Sequence, residues 1–359
     1  MVRVATISMV AIAVGLALAS SATAAKRAPA DFYGVVPQES ISDGDYQRLA
    51  EGRVGTVRIP LLWGYHQAVE GRCQADEQIG VCNWQYLDEI MARLALAGVR
   101  AVPNLYGSPA FVYGKHPTKP PLGKSLKGWK AFLTAAAERY GRRGVFWRSF
   151  EDGYGSKPRP ITEWQVWNEE NSDQFWHPKP NPRKYAKLVK ASSQALRKGD
   201  RRAKVVLGGM FADAQMPFEV FMRRFYRVPG IKGAFDEVAA HPYARTLNRL
   251  ERQLQLFRRT LRRNHDRHAG IRITEIGWSS GTGGNWLMKG REGQAKMLKG
   301  AFKLIARKRS RWNITGVNWF ALRDTTNEDT CAFCHDAGLF EVGGAAKPAW
   351  ESFKRFSHP

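Results

Sequence analysis

The sequence predicts an α/β protein of the (β/α)8 class, a TIM barrel. Three observations predict it. Short β-rich runs recur eight times, longer amphipathic patterns separate them, and no run opens onto a G-x-G-x-x-G or P-loop. Strands alternating with helices imply parallel βαβ units, and eight such units fit a closed barrel better than an open doubly wound sheet.

The strand candidates are DFYGVVP (31–37), GTVRIPLLW (55–63), RAVPNLYG (100–107), TEWQVWN (162–168), KVVLGGMF (204–211), FDEVAAHPY (235–243), IRITEIGW (271–278) and ITGVNWFAL (314–322). Helical patterns occupy NWQYLDEIMARLALAG (83–98), SLKGWKAFLTAAAERYG (125–141), PRKYAKLVKASSQALRKG (182–199) and GQAKMLKGAFKLIARKR (293–309), several of them ending on glycine. No linker or compositional break follows residue 31, so residues 25–359 are expected to form a single catalytic domain.

Residues 1–24 are different in kind. Arg3 precedes an apolar run from Val4 to Ala19, which ends in Ala22-Thr23-Ala24, the small-x-small pattern of a signal-peptidase site. The run falls short of the ~20 residues that a membrane span needs. A cleaved signal peptide and an extracellular or periplasmic chain are therefore expected. The four cysteines suit that compartment. Cys73 lies near Cys82 and Cys331 near Cys334, but three connectivities are open to them. CAFCH (331–335) also matches the haem-attachment pattern. Without a surrounding cytochrome-like helix it is the weaker reading, and no cofactor is expected.

The charge is unusual: 56 Lys and Arg against 32 Asp and Glu, a formal +24. Such a field attracts polyanions. The basic runs, such as RLERQLQLFRRTLRRNHDRH (249–268), are spread along the chain and show no stripe interleaved with aromatics, so nucleic acid is not an expected partner. They read first as solvated helix faces.

In a barrel of this class, function gathers where strands end at the C-terminal face. Strand two ends in Arg58 through Trp63, strand three carries Asn104 and Tyr106, and strand four ends in Asn168-Glu169. Strand six ends in His241-Pro242-Tyr243, strand seven in Glu275 and Trp278, and strand eight carries Asn318 and Trp319. Alternation places Ile271, Ile273 and Glu275 on one side of strand seven. A carboxylate in that position is poorly solvated and needs partners such as Arg58, Tyr243 or His241. It is either a buried ion pair or half of a catalytic pair with Glu169.

WNEEN on strand four, HPY on strand six, TEIGW on strand seven and NWF on strand eight resemble clan A of the glycoside hydrolases. The order of these motifs, and RYGRRGVFWRSF (139–150) ahead of WQVWNE, is similar to family 39 and its relatives. The resemblance covers the whole barrel and implies a retaining glycosidase. Glu169 would be the acid/base and Glu275 the nucleophile, with Asn168 on the sugar 2-hydroxyl and Tyr243 orienting Glu275. Where many clan members have proline after the acid/base, this chain has Glu170; adjacent strand residues point apart, which favours Glu169 as the proton donor. Arg58 would hold Glu275 anionic, and apolar neighbours such as Trp167 would keep Glu169 protonated.

Substrate contacts are expected from Arg58, Trp63, Asn104, Asn168, His241, Tyr243, Trp278 and Trp319, with Trp319 as a flat face for a pyranose. Trp63, Trp176 and Trp278 read equally as packing aromatics, while Asn104, Tyr106 and Asn318 are recommended by position alone. His177 and His241 belong to no metal pattern, so no metal is expected. The predicted activity is hydrolysis of β-linked polysaccharide or oligosaccharide by a secreted monomer. An anionic exopolysaccharide or cell-wall glycan suits the charge. Rival functions are a non-catalytic carbohydrate-binding protein and a transglycosylase that uses the same residues.

Overall fold

In the computed structural model, residues 28–358 are described except 115, 149 and 329. The predicted signal peptide, residues 1–24, lies outside them. All eight predicted strands form: β1 (Tyr33–Val36), β2 (Thr56–Leu62), β3 (Arg100–Tyr106), β4 (Glu163–Val166), β5 (Lys204–Leu207), β6 (Glu237–Ala240), β7 (Gly270–Ile276) and β8 (Ile314–Phe320). They pair in sequence order, all parallel, and β8 returns to β1 to close the barrel. Closure leaves no exposed sheet edge.

A helix follows each strand: α1 (Asp43–Glu51), α2 (Gln85–Leu96), α3 (Leu126–Tyr140), α4 (Pro182–Gly199), α5 (Phe218–Phe225), α6 (Leu247–Arg263), α7 (Gly290–Trp312) and α8 (Pro348–Ser357). Their starts are written in the chain. Ser42 and Asp45 form a capping box at α1, Asn181 caps α4 ahead of Pro182, and Thr246 caps α6. The short α1, α5 and α8 lack a long apolar period and escaped the sequence reading. On α6, Leu250, Leu254, Phe257 and Leu261 are buried while Arg249, Arg252, Arg259 and Arg263 are exposed, so that basic run does coat a helix face.

Most of the aromatic core lies between the strands and the helices. Trp63, Trp129, Trp164, Trp167, Trp278 and Trp319 are all fully buried. A fully buried Leu or Phe in such a layer contributes about 1.5–3 kcal/mol, which holds the barrel rigid enough to aim side chains at its mouth. Cys73 is bonded to Cys82 and Cys331 to Cys334, so the cysteines of CAFCH carry no thioether. Among the described residues, no helix is long and apolar enough to cross a membrane.

Candidate active site

The site is built around Arg58, which points inward from β2 and is almost wholly buried. Its Nε donates to Gln165 Oε1 on β4 at 2.7 Å, Nη1 donates to Glu275 Oε1 at 2.7 Å, and Nη2 donates to Asn168 Oδ1 at 2.7 Å. Asn104 of β3, with its amide oriented to suit its neighbours, accepts from the same Nη2 at 3.0 Å and donates to Trp167 O at 2.7 Å. A planar guanidinium thus ties β2, β3, β4 and β7 together in one network, a geometry that a lysine could not reproduce.

Glu275 reaches this network through an irregularity rather than by alternation. Thr274 meets His241 Nε2 at 3.0 Å, and Arg272 pairs with Glu237 and lies against Gly316, so these two occupy the inward series. Ile271 and Ile273 alternate with them, in the apolar layer. Simple alternation would send Glu275 outward too, contrary to the sequence expectation that all three share the functional side. The pairing of β7 with β8 shifts register between Ile273 and Ile276, and this bulge turns Glu275 into the mouth. There its Oε2 accepts from the Tyr243 hydroxyl at 2.9 Å.

Glu169 arrives from β4 on strained backbone: φ is 74° at Trp167 and 44° at Glu169, left-handed values at two residues that are not glycine. Such conformations are costly and collect at functional sites. The turn lets Glu169 face inward while Glu170 is fully buried. Glu169 Oε1 lies 2.7 Å from His241 Nδ1. One oxygen from each of Glu169 and Glu275 and a ring nitrogen of His241 lie within 4.8 Å of one another. These three groups could each offer a cation one ligand atom, but Glu275 already faces the Arg58 guanidinium and Glu169 already faces His241.

The electrostatics separate the two carboxyls. Burial, and then the negative charge of Glu275, push Glu169 well above the usual carboxylate range. Burial also raises Glu275, against which Arg58 and the Tyr243 hydroxyl act in the opposite direction. Glu275 is therefore the one that ionises first, and Glu169 keeps the proton. His241, fully enclosed and near Arg58, is held well below its ordinary value and stays neutral, a hydrogen-bond partner rather than a cation.

Several predicted contacts sit elsewhere. Trp319 and Trp278 are fully buried in the helix layer with ring centroids 6.0 Å apart, and their Nε1 atoms donate to Ala337 O and Ala244 O. Neither is a sugar platform. Trp63 is fully buried against Trp129 and Phe132, and Trp176 packs on Trp167 and Tyr185. Trp167 also packs outward, on Trp129, so Glu169 is raised by its burial and by Glu275 rather than by that indole. His241 and Asn104 are occupied in holding Glu169 and Arg58, not open to substrate. Asn318 is buried inside the barrel with its amide on Thr56 and Val35. The reason is common to the tryptophans: a residue one step along a strand faces the opposite layer.

Tyr106 and Tyr243, expected from the sequence, do lie at the site, but three further aromatics were missed. Phe211, Phe320 and Phe333 are partly exposed, and their rings lie 5.7, 6.5 and 5.4 Å from Tyr243. Phe333 stands inside CAFCH, where the Cys331–Cys334 disulfide closes the loop that presents it. Alternation from Asn318 could have found Phe320; the others sit on loops that have no period.

The closed eight-stranded parallel barrel is shared with solved structures of glycoside hydrolases. A family 39 glycoside hydrolase from the gut symbiont Bacteroides cellulosilyticus WH2 matches with TM-score 0.67 and 18% identity, over 92% of this chain and 64% of that one. A family 39 β-xylosidase from Caulobacter crescentus matches with TM-score 0.63 and 17% identity, over 94% of this chain and 73% of that one. A family 5 glycoside hydrolase from Streptomyces cattleya, solved with Manβ1-4GlcNAc, matches with TM-score 0.65 and 15% identity, over 91% and 80%. The chain thus spans less than two thirds of the length of the first of these. At such identities the likeness is one of fold, and it agrees with the clan A resemblance of the motifs. No family model and no curated protein matches the sequence.

Proposed function

We propose that this chain is a secreted, retaining glycoside hydrolase acting on β-linked polysaccharide or oligosaccharide. The observation that carries the reading is the pairing of Glu169 and Glu275, with oxygens within 4.8 Å and with unequal electrostatic support. Retaining enzymes hold their carboxyls about 5–5.5 Å apart, whereas inversion needs roughly 6.5–9.5 Å to admit a water. In the first step, ionised Glu275 bonds to the anomeric carbon as the glycosidic C–O bond breaks, and the proton of Glu169 passes to the leaving oxygen. In the second, Glu169 takes a proton from water, whose oxygen bonds to the anomeric carbon and releases Glu275.

Tyr243 and Arg58 orient Glu275 and favour its charge; His241, itself held by Thr274, orients Glu169. Asn168, held by Arg58 through its oxygen, keeps its amide nitrogen for the sugar 2-hydroxyl. Residues 25–359 are read as one monomeric catalytic domain behind the signal peptide.

The test is release of reducing ends from β-glycans by wild type and by Glu275→Ala, with NMR of the first-formed anomer. Turnover with β configuration in the product, abolished in a variant that keeps its circular dichroism spectrum, is the expected result. Full activity in Glu275→Ala would end the mechanism. Binding without new reducing ends would favour a carbohydrate-binding protein, and longer oligosaccharide products a transglycosylase.

A further inference from the structure

A concavity of about 450 Å³ is lined in part by Tyr243, the residue whose hydroxyl donates to Glu275. Its walls come from the start of α6 and the loop after β7. Arg245, Arg249 and Arg252 are in the lining, and so is Trp286, which is 45% exposed. Asp213 is the acid in the lining, and it is taken by Arg249 Nη2 at 2.6 Å. Among the described residues, the guanidinium groups of Arg245 and Arg252 have no ion pair or hydrogen bond, and both residues are exposed. Gln253 closes the wall. It is 9% exposed, its Nε2 donates to Tyr243 O at 3.1 Å, and its Oε1 is buried without a partner. That oxygen is sealed from solvent, so Gln253 serves the wall by holding Tyr243 O and not as a contact for a ligand.

These features have one chemistry in common. A half-exposed indole offers an apolar face to a pyranose ring, and two unengaged guanidinium forks match the geometry of a carboxylate. We propose that this concavity is a substrate subsite for an acidic sugar, in which Trp286 stacks on the ring while Arg245 and Arg252 receive its anionic group. The proposal rests on the glycosidase reading of Glu169 and Glu275 and specifies its substrate class. It also gives part of the +24 charge a location, in a concavity joined to Glu275 through Tyr243, that helix-face coating alone does not require.

The experiment compares three probes of one backbone: a β-linked glucuronate oligosaccharide, its carboxyl-reduced neutral counterpart, and a sulfated form of that counterpart. Each is assayed with wild type, Arg245→Gln/Arg252→Gln and Trp286→Ala. Wild type is expected to cleave an acidic probe with the higher kcat/KM. The double variant should lose about tenfold on that probe, and less than about twofold on the neutral one. Wild-type preference for the acidic probe should fade as salt is raised. Preference for the sulfated probe over the glucuronate would make the anion a sulfate ester rather than a carboxylate. Equal cleavage of acidic and neutral probes, or equal losses on both in the double variant, overturns the subsite.

If nothing is cleaved, the same panel is read as binding to the same proteins. Acid-selective binding that vanishes with Arg245 and Arg252 upholds the subsite while the hydrolase reading fails. Binding indifferent to charge overturns the subsite as well.

Discussion

Glu170 offers a prediction that can be worked from the structure. It is fully buried, neither carboxyl oxygen has a hydrogen-bond partner, and a side chain at Gly208 would strike it. The nearby Tyr185 hydroxyl donates to Val166 O at 2.8 Å and accepts from Gly208 N at 2.7 Å, so its proton is not free for Glu170. Burial pushes the carboxyl up to about 8 from an ordinary 4.5. Between those values the native state keeps a proton that the unfolded chain has released, so this group makes stability fall as pH rises. The slope is about 1.4 kcal/mol per pH unit, which accumulates to roughly 3 kcal/mol at pH 7 and levels off near pH 8.

Glu170→Gln keeps the shape and removes the titration. Chemical unfolding of wild type and variant at a series of pH values gives the difference in stability. That difference should grow in the variant's favour by the stated slope, whatever its constant offset at pH 4.5. With about 2.1 cal/mol/K of unfolding entropy per residue over about 330 residues, 3 kcal/mol corresponds to a rise of about 4 °C in Tm at pH 7 relative to pH 4.5. A difference that stays flat from pH 5 to 7.5 would refute the reasoning and mean that Glu170 is ionised and paired in the folded protein.

Three further outcomes are expected. Arg58→Gln removes the cation facing Glu275, so kcat should drop by about a hundredfold and the acidic limb of the pH profile should move up; an unmoved limb would sever Arg58 from the nucleophile. Wild-type kcat/KM should be bell-shaped, falling at low pH as Glu275 protonates and at high pH as Glu169 loses its proton, the upper limb lying above the usual carboxylate range; a rate still rising far into alkaline pH would deny Glu169 the role of acid. Gly209→Ala places a methyl against the His241 ring, displacing the group that holds Glu169. A loss of about a hundredfold in kcat with the fold retained is expected, and unchanged turnover would show that His241 positions nothing.

The positions of Glu169 and Glu275 were legible in the chain because strand ends in an eightfold alternation converge on one face. The eight strands themselves were legible from their apolar runs. Their facing was less so. Trp278 and Trp319 stand one step from inward positions, and at strand ends a single residue decides between a sugar-facing ring and a core ring. Phe333 reaches the site from a loop, where no periodicity reports on direction.

By itself, then, the sequence determined the barrel, the order of its elements and the identity of the paired carboxyls, because local periodicity and strand order suffice for those. Only the tertiary structure decided how the carboxyls are aimed and supported. The left-handed turn at Glu169, the bulge before Ile276 that brings Glu275 inward, and the convergence of Gln165, Asn168, Asn104 and Glu275 on Arg58 all depend on contacts between distant strands. Hydrogen bonds that join β2 to β4 and β7 across 107 and 217 residues of chain leave no local pattern, because neither partner's neighbours in sequence take part in the choice.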